Sequence, residues 1–434
     1  MDLTCNLTKH KSIYQQVSIR YFLNIFIPTI FLLILIIYGV SFKLILSWYI
    51  FLIVYFVMTN LTSKLKIGIV FILTLYNTTE SILYNFGYRP FWWASEKLIY
   101  SATEVSFFSI IIIFILLFTK LGFSSKDISM IYVRISQLEK KINNISKERK
   151  VLLYAIFSIL MMINWIQLLK VGLGNVIHSA RRVYSADILI THSFYYQLFS
   201  ISLSLIIIIC IINLYKKKSS NLLLVLSSTL FIFFWLPSII IGSRKELLIV
   251  MLGIWAIKLK SRFFRFLIIT LIIIFLSMPL FFDGFNLIDS LHEFALPQYI
   301  LFAFMEYDIK GPFNYFSGLF FMVPSLLRPI HLIDMGSWFF TLKITNVGLG
   351  SHPFAEAYMN FGEFGLFIFP IIFIILTKFI IFLSKVNAAF WISGFPYLIF
   401  LINRSDFWTC IFFVFYTGLL FILFLEYPKK EKRN

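Results

Sequence analysis

Charged residues are scarce in this 434-residue chain, at 13%, while 60% of its residues are hydrophobic. Soluble domains run at roughly 45–50% apolar and about 25% charged. Too little charge is present to coat a water-facing surface, so a soluble class is excluded. Cysteine is nearly absent: Cys5, Cys210 and Cys410 stand far apart with no metal-ligand spacing, which argues against both a disulfide framework and a zinc site. Histidine is also infrequent; His178, His192, His292 and His331 share no ligand spacing, and no metal or other cofactor is expected. No cleavable leader is expected either, and the first apolar run should stay attached as an anchor. Lys9, Lys11 and Arg20 precede an apolar run from about Tyr21 that is too long for a signal-peptide core and is followed by no small-residue cleavage site. No internal repeat is visible, which weighs against the two-half architecture of many transporters.

What the chain does contain is apolar runs of membrane-spanning length. They lie near 21–42, 44–61, 67–86, 98–118, 151–170, 193–214, 222–241, 246–258, 266–283, 361–383, 387–402 and 407–425. They predict an all-α polytopic membrane protein, one transmembrane domain over 1–434, with about 12 crossings of a hydrocarbon layer about 30 Å thick. The even number puts both termini on one side. The net charge of +18 locates that side. With both termini cytoplasmic, Lys and Arg gather in the basic loop 119–150, in Lys216-Lys217-Lys218, between Lys258 and Arg265 and in the tail from Lys429, while acidic residues fall mostly outside. That is the positive-inside distribution, and it removes nucleic acid as an expected partner. The segment 246–258 is short, but without it the basic cluster 258–265 would fall outside.

One connection is too long to be a simple link. The outside stretch 284–351, a large periplasmic loop in this topology, is rich in Phe, Trp and Leu and carries Pro297, Pro312, Pro324 and Pro329. Such a loop suits short helices lying at the interface or folded over the bundle as a lid.

Six arginines lie on the face that the topology rule depletes of positive charge: Arg89, Arg181, Arg182, Arg244, Arg328 and Arg404. Guanidinium groups stay charged and grip phosphate oxygens in pairs, so converging arginines suit a phosphate or pyrophosphate. Each could instead snorkel to headgroups or pair with Asp187, Glu246 or Asp406. The adjacent Phe91-Trp92-Trp93 patch reads first as an interfacial aromatic belt, and second as a sugar-stacking platform.

The most informative segment runs from Gly348 to Gly365, a Gly-rich loop leading into an apolar helix, with Ser351 as the expected N-cap and Pro353 in the first turn. His352, Glu356, Asn360 and Glu363 then fall at spacings of four, four and three, on one helix face. A polar stripe entering lipid needs a cavity or a partner, and marks a functional site before it marks a helix contact. A histidine or carboxylate placed there suits a general base acting on a hydroxyl. His352 and Glu356 are therefore the catalytic candidates, and Asn360 with the arginines the candidate substrate contacts.

This run, above all Ala355-Glu356-Ala357-Tyr358 with Asn360-Phe361-Gly362 and supported by Gly242-Ser243-Arg244, resembles the bacterial O-antigen or oligosaccharide-repeat-unit polymerases, the Wzy family. The resemblance covers the whole chain in architecture and about twenty residues in motif. It implies a GT-C-like bundle in a bacterial inner membrane and a metal-independent, inverting glycosyl transfer on the periplasmic face. A hydroxyl of one lipid-linked repeat unit attacks the anomeric carbon of the growing chain and releases undecaprenyl pyrophosphate. The implied partners are undecaprenyl-pyrophosphate-linked glycans and membrane lipids, with a chain-length regulator left open. Two other readings stay open beside it: an O-antigen ligase, and a lipid-linked oligosaccharide flippase. The flippase would carry charge along a two-sided path through the helices, where only Glu80 and Glu104 stand out.

Overall fold

The computed structural model describes residues 22–89, 93–143, 294–311 and 352–399, together with isolated positions at 162–169, 291, 315 and 407–422. The expected spans at 193–214, 222–241, 246–258 and 266–283 lie outside the described residues, as do nearly all of those at 151–170 and 407–425. Every described element is helical, with no strand among the described residues. The chain divides into two units.

The first unit comprises residues 1–128, 291–314 and 351–379. A π turn, Phe22–Phe26, leads into α1 (Ile27–Tyr38), followed by α2 (Phe42–Met58), α3 (Leu61–Asn85) and α4 (Glu96–Phe118). Short polar residues start the last three of these. Ser41 Oγ accepts from the Leu44 amide at 3.3 Å, Asn60 Oδ1 from Ser63 at 3.0 Å, and Ser95 Oγ from Leu98 at 3.3 Å. Each satisfies an amide that the helix itself leaves without a partner. Helix α3 begins at Leu61 rather than near 67, so it takes in Lys64 and Lys66. Lys66 is buried, yet its Nζ donates to the Leu117 carbonyl at 2.6 Å and lies over the rings of Phe118 and Phe123. The cation thus sits at the C-terminal end of α4, where the helix dipole favours it.

The core of this unit centres on Trp48, fully buried, whose ring lies 5.3 to 5.7 Å from those of Phe31, Phe51, Phe107 and Phe114. Its indole N–H donates to Thr74 Oγ1 at 3.1 Å, as a buried tryptophan requires.

Three further helices complete the described chain in this region: α6 (Gln298–Glu306), α7 (Pro353–Phe361) and α8 (Gly365–Val386). Between α4 and α6 in sequence lies α5 (Ser125–Asn143), started by a reciprocal cap in which the Ser124 amide donates to Asp127 Oδ2 at 2.7 Å and the Asp127 amide to Ser124 Oγ at 3.2 Å. Helix α6 belongs to the stretch expected to lie at the membrane interface or over the bundle. It is instead an interior element, buried from Gln298 to Phe304 and packed on α7, α4 and α3.

Among the described residues, three helices are long and apolar enough to cross a membrane: α3, α4 and the continuous stretch Pro353–Val386. Along α8, Phe367, Ile371, Ile375, Phe379 and Phe382 form an exposed stripe at spacings of four, four, four and three. An apolar helix face of that length left bare by its own protein has lipid as its natural neighbour. The protein is a membrane protein.

The second unit holds residues 129–290, 315–350 and 380–434. Here Arg134 Nε donates to the Lys385 carbonyl at 3.0 Å, closing the last turn of α8. Helix α9 (Ala389–Ile399) follows, and Trp408 Nε1 donates to the Tyr315 carbonyl at 3.0 Å.

Candidate functional site

Helix α7 carries the three described members of the polar stripe. Its N-cap is His352, one residue beyond the expected Ser351, with Pro353 in the first turn. The fixed φ of proline suits that position, and its missing N–H costs nothing there. His352 has extended backbone, and its Nδ1 accepts the Ala355 amide at 3.3 Å. An imidazole nitrogen that accepts has no proton, so in the neutral ring the proton sits on Nε2. That nitrogen is buried with no hydrogen-bond partner. His352 precedes the spanning stretch, and burial pushes its imidazole down from 6.5 to about 3, so the ring is neutral at working pH.

Glu356 lies one turn on, 1% exposed, and its amide donates to the His352 carbonyl at 2.9 Å. Asn360 lies a further turn on, 4% exposed, and its Nδ2 donates to the Glu356 carbonyl at 2.7 Å. The stripe therefore exists over His352, Glu356 and Asn360. It does not extend to Glu363, expected on the same face. Gly362, at φ 63°, ends α7, and Gly362–Phe364 form a 3₁₀ turn in which Glu363 is exposed. The turn breaks the 3.6-residue phase that would have kept Glu363 in line.

Two glycines and one aromatic pair hold α7 against α8. At Gly362 the left-handed backbone favours glycine. At Gly365 a Cβ would come within 1.9 Å of the Ala357 carbonyl oxygen, so only a residue without one lets the chain pass. Phe354 then stacks edge-on against Phe369 at 4.9 Å. The turn after α6 ties in from the other side: the Gly311 amide donates to the Met359 carbonyl at 3.1 Å, and Tyr358 Oη to Asp308 Oδ1 at 3.4 Å. Asp308 also pairs with exposed Lys310 at 2.9 Å.

Of the six outside arginines, only Arg89 is described. It is exposed just beyond the end of α3, and its guanidinium lies 4.6 Å from the centre of the Tyr84 ring. Stacking on an aromatic face leaves its N–H groups available for a phosphate. Arg181, Arg182, Arg244, Arg328 and Arg404 lie outside the described residues. Trp93, from the patch read as an interfacial belt, packs edge-on against Tyr299 at 6.0 Å.

A second polar group stands apart from the expected site. The Tyr299 hydroxyl donates to Glu80 Oε1, and Gln298 Nε2 donates to the Tyr76 carbonyl at 2.7 Å. Glu80 is conspicuous as a carboxylate inside an apolar stretch. Its partner Tyr299, 219 residues later, carries no local signal that would link the two.

No family model, curated protein or solved structure matches the chain.

Proposed function

We propose that this protein is a membrane-embedded glycosyltransferase that joins undecaprenyl-pyrophosphate-linked oligosaccharide units at the periplasmic face of a bacterial inner membrane. The proposal takes the chain as a bundle of about 12 crossings with both termini inside, the arrangement that accounts for its basic loops. The observation that carries it is the buried stripe of His352, Glu356 and Asn360 where an apolar spanning stretch begins. An ionisable side chain buried at the start of a spanning stretch marks a functional site by default.

In this reading Glu356 is the general base. It takes the proton of the attacking sugar hydroxyl as that oxygen bonds to the anomeric carbon of the growing chain. The bond from that carbon to pyrophosphate breaks, and undecaprenyl pyrophosphate leaves with the electron pair. Inversion follows from a single displacement. Arg89, Arg181, Arg182, Arg244, Arg328 and Arg404 are the candidates to hold the departing pyrophosphate, since developing negative charge is what a guanidinium stabilises. The Nδ1 lone pair of His352 is engaged by the Ala355 amide, so its role is to set the start of α7 and offer Nε2–H as a donor. Asn360 supports the same turn through the Glu356 carbonyl.

The deciding experiment is a gel of surface polysaccharide from cells lacking the gene and restored with wild type, Glu356→Gln or Arg244→Ala. A ladder that collapses to a single-repeat band in the deletion and in Glu356→Gln, with Arg244→Ala strongly reduced, supports the polymerase. Loss of every band in the deletion, the single-repeat one included, overturns it in favour of a ligase or a flippase.

A further inference from the structure

Where α6 meets α3, three buried oxygen acceptors lack a hydrogen-bond donor. Asn77 and Glu80 are three residues apart on α3 and so share a face. Gln298 opens α6, and its Nε2 reaches the Tyr76 carbonyl, while the neighbouring Tyr299 hydroxyl reaches Glu80 Oε1. The same turn of α3 therefore meets the same turn of α6. Asn77 is 1% exposed, Glu80 0% and Gln298 1%.

The amide orientations follow from their donors. Asn77 Nδ2 donates to the Leu73 carbonyl at 2.7 Å and Gln298 Nε2 to that of Tyr76. This turns Asn77 Oδ1 and Gln298 Oε1 into the remaining acceptors, and neither has a partner; nor has Glu80 Oε2. Among the described residues, the neighbouring α3 and α4 hydroxyls are already committed. Thr74, Thr78, Thr79 and Thr103 each donate to a carbonyl one turn back, and the short contact between Ser81 and Thr103 then uses the Ser81 hydrogen.

Three acceptors with one negative charge between them, buried among apolar helices, call for a positive occupant. A water has two hydrogens for three acceptors and leaves the carboxylate charge unbalanced. A proton on Glu80 satisfies one amide oxygen and strands the other. An oxygen-only donor set suits a hard cation rather than a transition metal, and a single carboxylate balances one charge; a divalent ion would leave an excess positive charge in the interior.

We propose that Asn77 Oδ1, Glu80 Oε2 and Gln298 Oε1 bind one monovalent alkali cation that joins α3 to α6. The ion ties this part of the 284–351 stretch to the helix bundle, and Tyr299 completes the site by holding the other carboxylate oxygen. This inference does not rest on the glycosyl-transfer reading, and its test needs no activity assay.

The test is thermal unfolding of the purified full-length protein in lipid nanodiscs, at constant ionic strength, in lithium, sodium, potassium or choline chloride. A ligand bound only by the folded state raises the unfolding midpoint with its concentration. At least one alkali chloride is expected to raise the midpoint by several degrees over choline chloride, saturably, and Glu80→Gln, which keeps the shape of the side chain, is expected to abolish that rise. Equal midpoints in all four salts overturn the proposal and leave a proton or water as the occupant. The wild-type comparison decides the matter even if Glu80→Gln does not fold. A salt response that survives in a folded Glu80→Gln places the ion elsewhere and also overturns it.

Discussion

His352 Nδ1 accepts the Ala355 amide at 3.3 Å, so the histidine that begins the polar stripe is the cap of its own helix. Asn, Asp, Ser and Thr usually fill that position. An imidazole does so here because Nδ1 lies at a comparable reach from the backbone. The ring also packs near Phe354, with centroids 5.8 Å apart.

This relationship separates a structural role for His352 from a chemical one. His352→Asn restores an acceptor at the cap, whereas His352→Ala removes it at a cost of about 1 kcal/mol, apart from any loss of packing. Thermal unfolding of the two variants is expected to place His352→Asn above His352→Ala. The reverse order would mean that the cap bond contributes little to the start of α7.

The two glycines after α7 are expected to differ in their tolerance of alanine. Nothing lies within 4 Å of a Cβ at Gly362, so Gly362→Ala bears only the cost of its positive-φ backbone, roughly 1–3 kcal/mol. Gly365→Ala places a methyl 1.9 Å from the Ala357 carbonyl oxygen and forces the backbone of α7 and α8 apart. Overpacking of that kind costs at least about 1–3 kcal/mol. The yield of folded protein after detergent extraction is expected to fall more for Gly365→Ala. Equal yields would contradict the close approach of Gly365 to Ala357.

Tyr299→Phe removes the donor to Glu80 Oε1 and leaves a buried carboxylate oxygen exposed to the desolvation cost, about 1–3 kcal/mol or more for a charged group. In a double-mutant cycle with Glu80→Gln the two changes are expected to be less than additive, because both disrupt one contact. Additive losses in unfolding free energy would show that the two residues act independently.

Glu356→Gln keeps the size of the side chain and removes its ability to take a proton. If Glu356 is the base, polymer synthesis in vitro drops by roughly 10²–10⁴-fold. The unfolding midpoint should change far less than in Gly365→Ala. Retained synthesis at wild-type rate would remove Glu356 from the chemistry while leaving its place in the fold intact.

Local pattern was enough for two of the described apolar helices. The apolar runs predicted at 44–61 and 98–118 match α2 and α4 to within three residues at each end, because chain length in lipid and capping by Ser41 and Ser95 are both local properties. Helix α3 starts earlier than the apolar run because Lys66 finds a carbonyl on α4, and that partner is fifty-one residues away. The spacing of His352, Glu356 and Asn360 was readable for the same local reason, a shared helix face.

Glu363 marks the limit of that reading. Periodicity carries a stripe forward only while the helix continues, and whether it continued past Gly362 depended on the contact between Gly365 and Ala357 that turns α8 against α7. Tertiary structure alone likewise drew α6 into the interior and brought Gln298 to the Tyr76 carbonyl and Tyr299 to Glu80. The amino-acid sequence by itself determined that this chain lives in lipid, because apolar run length is a local property. Which polar groups share a buried junction was decided by packing, because a hydrogen bond depends on distance in space and carries no trace of separation along the chain.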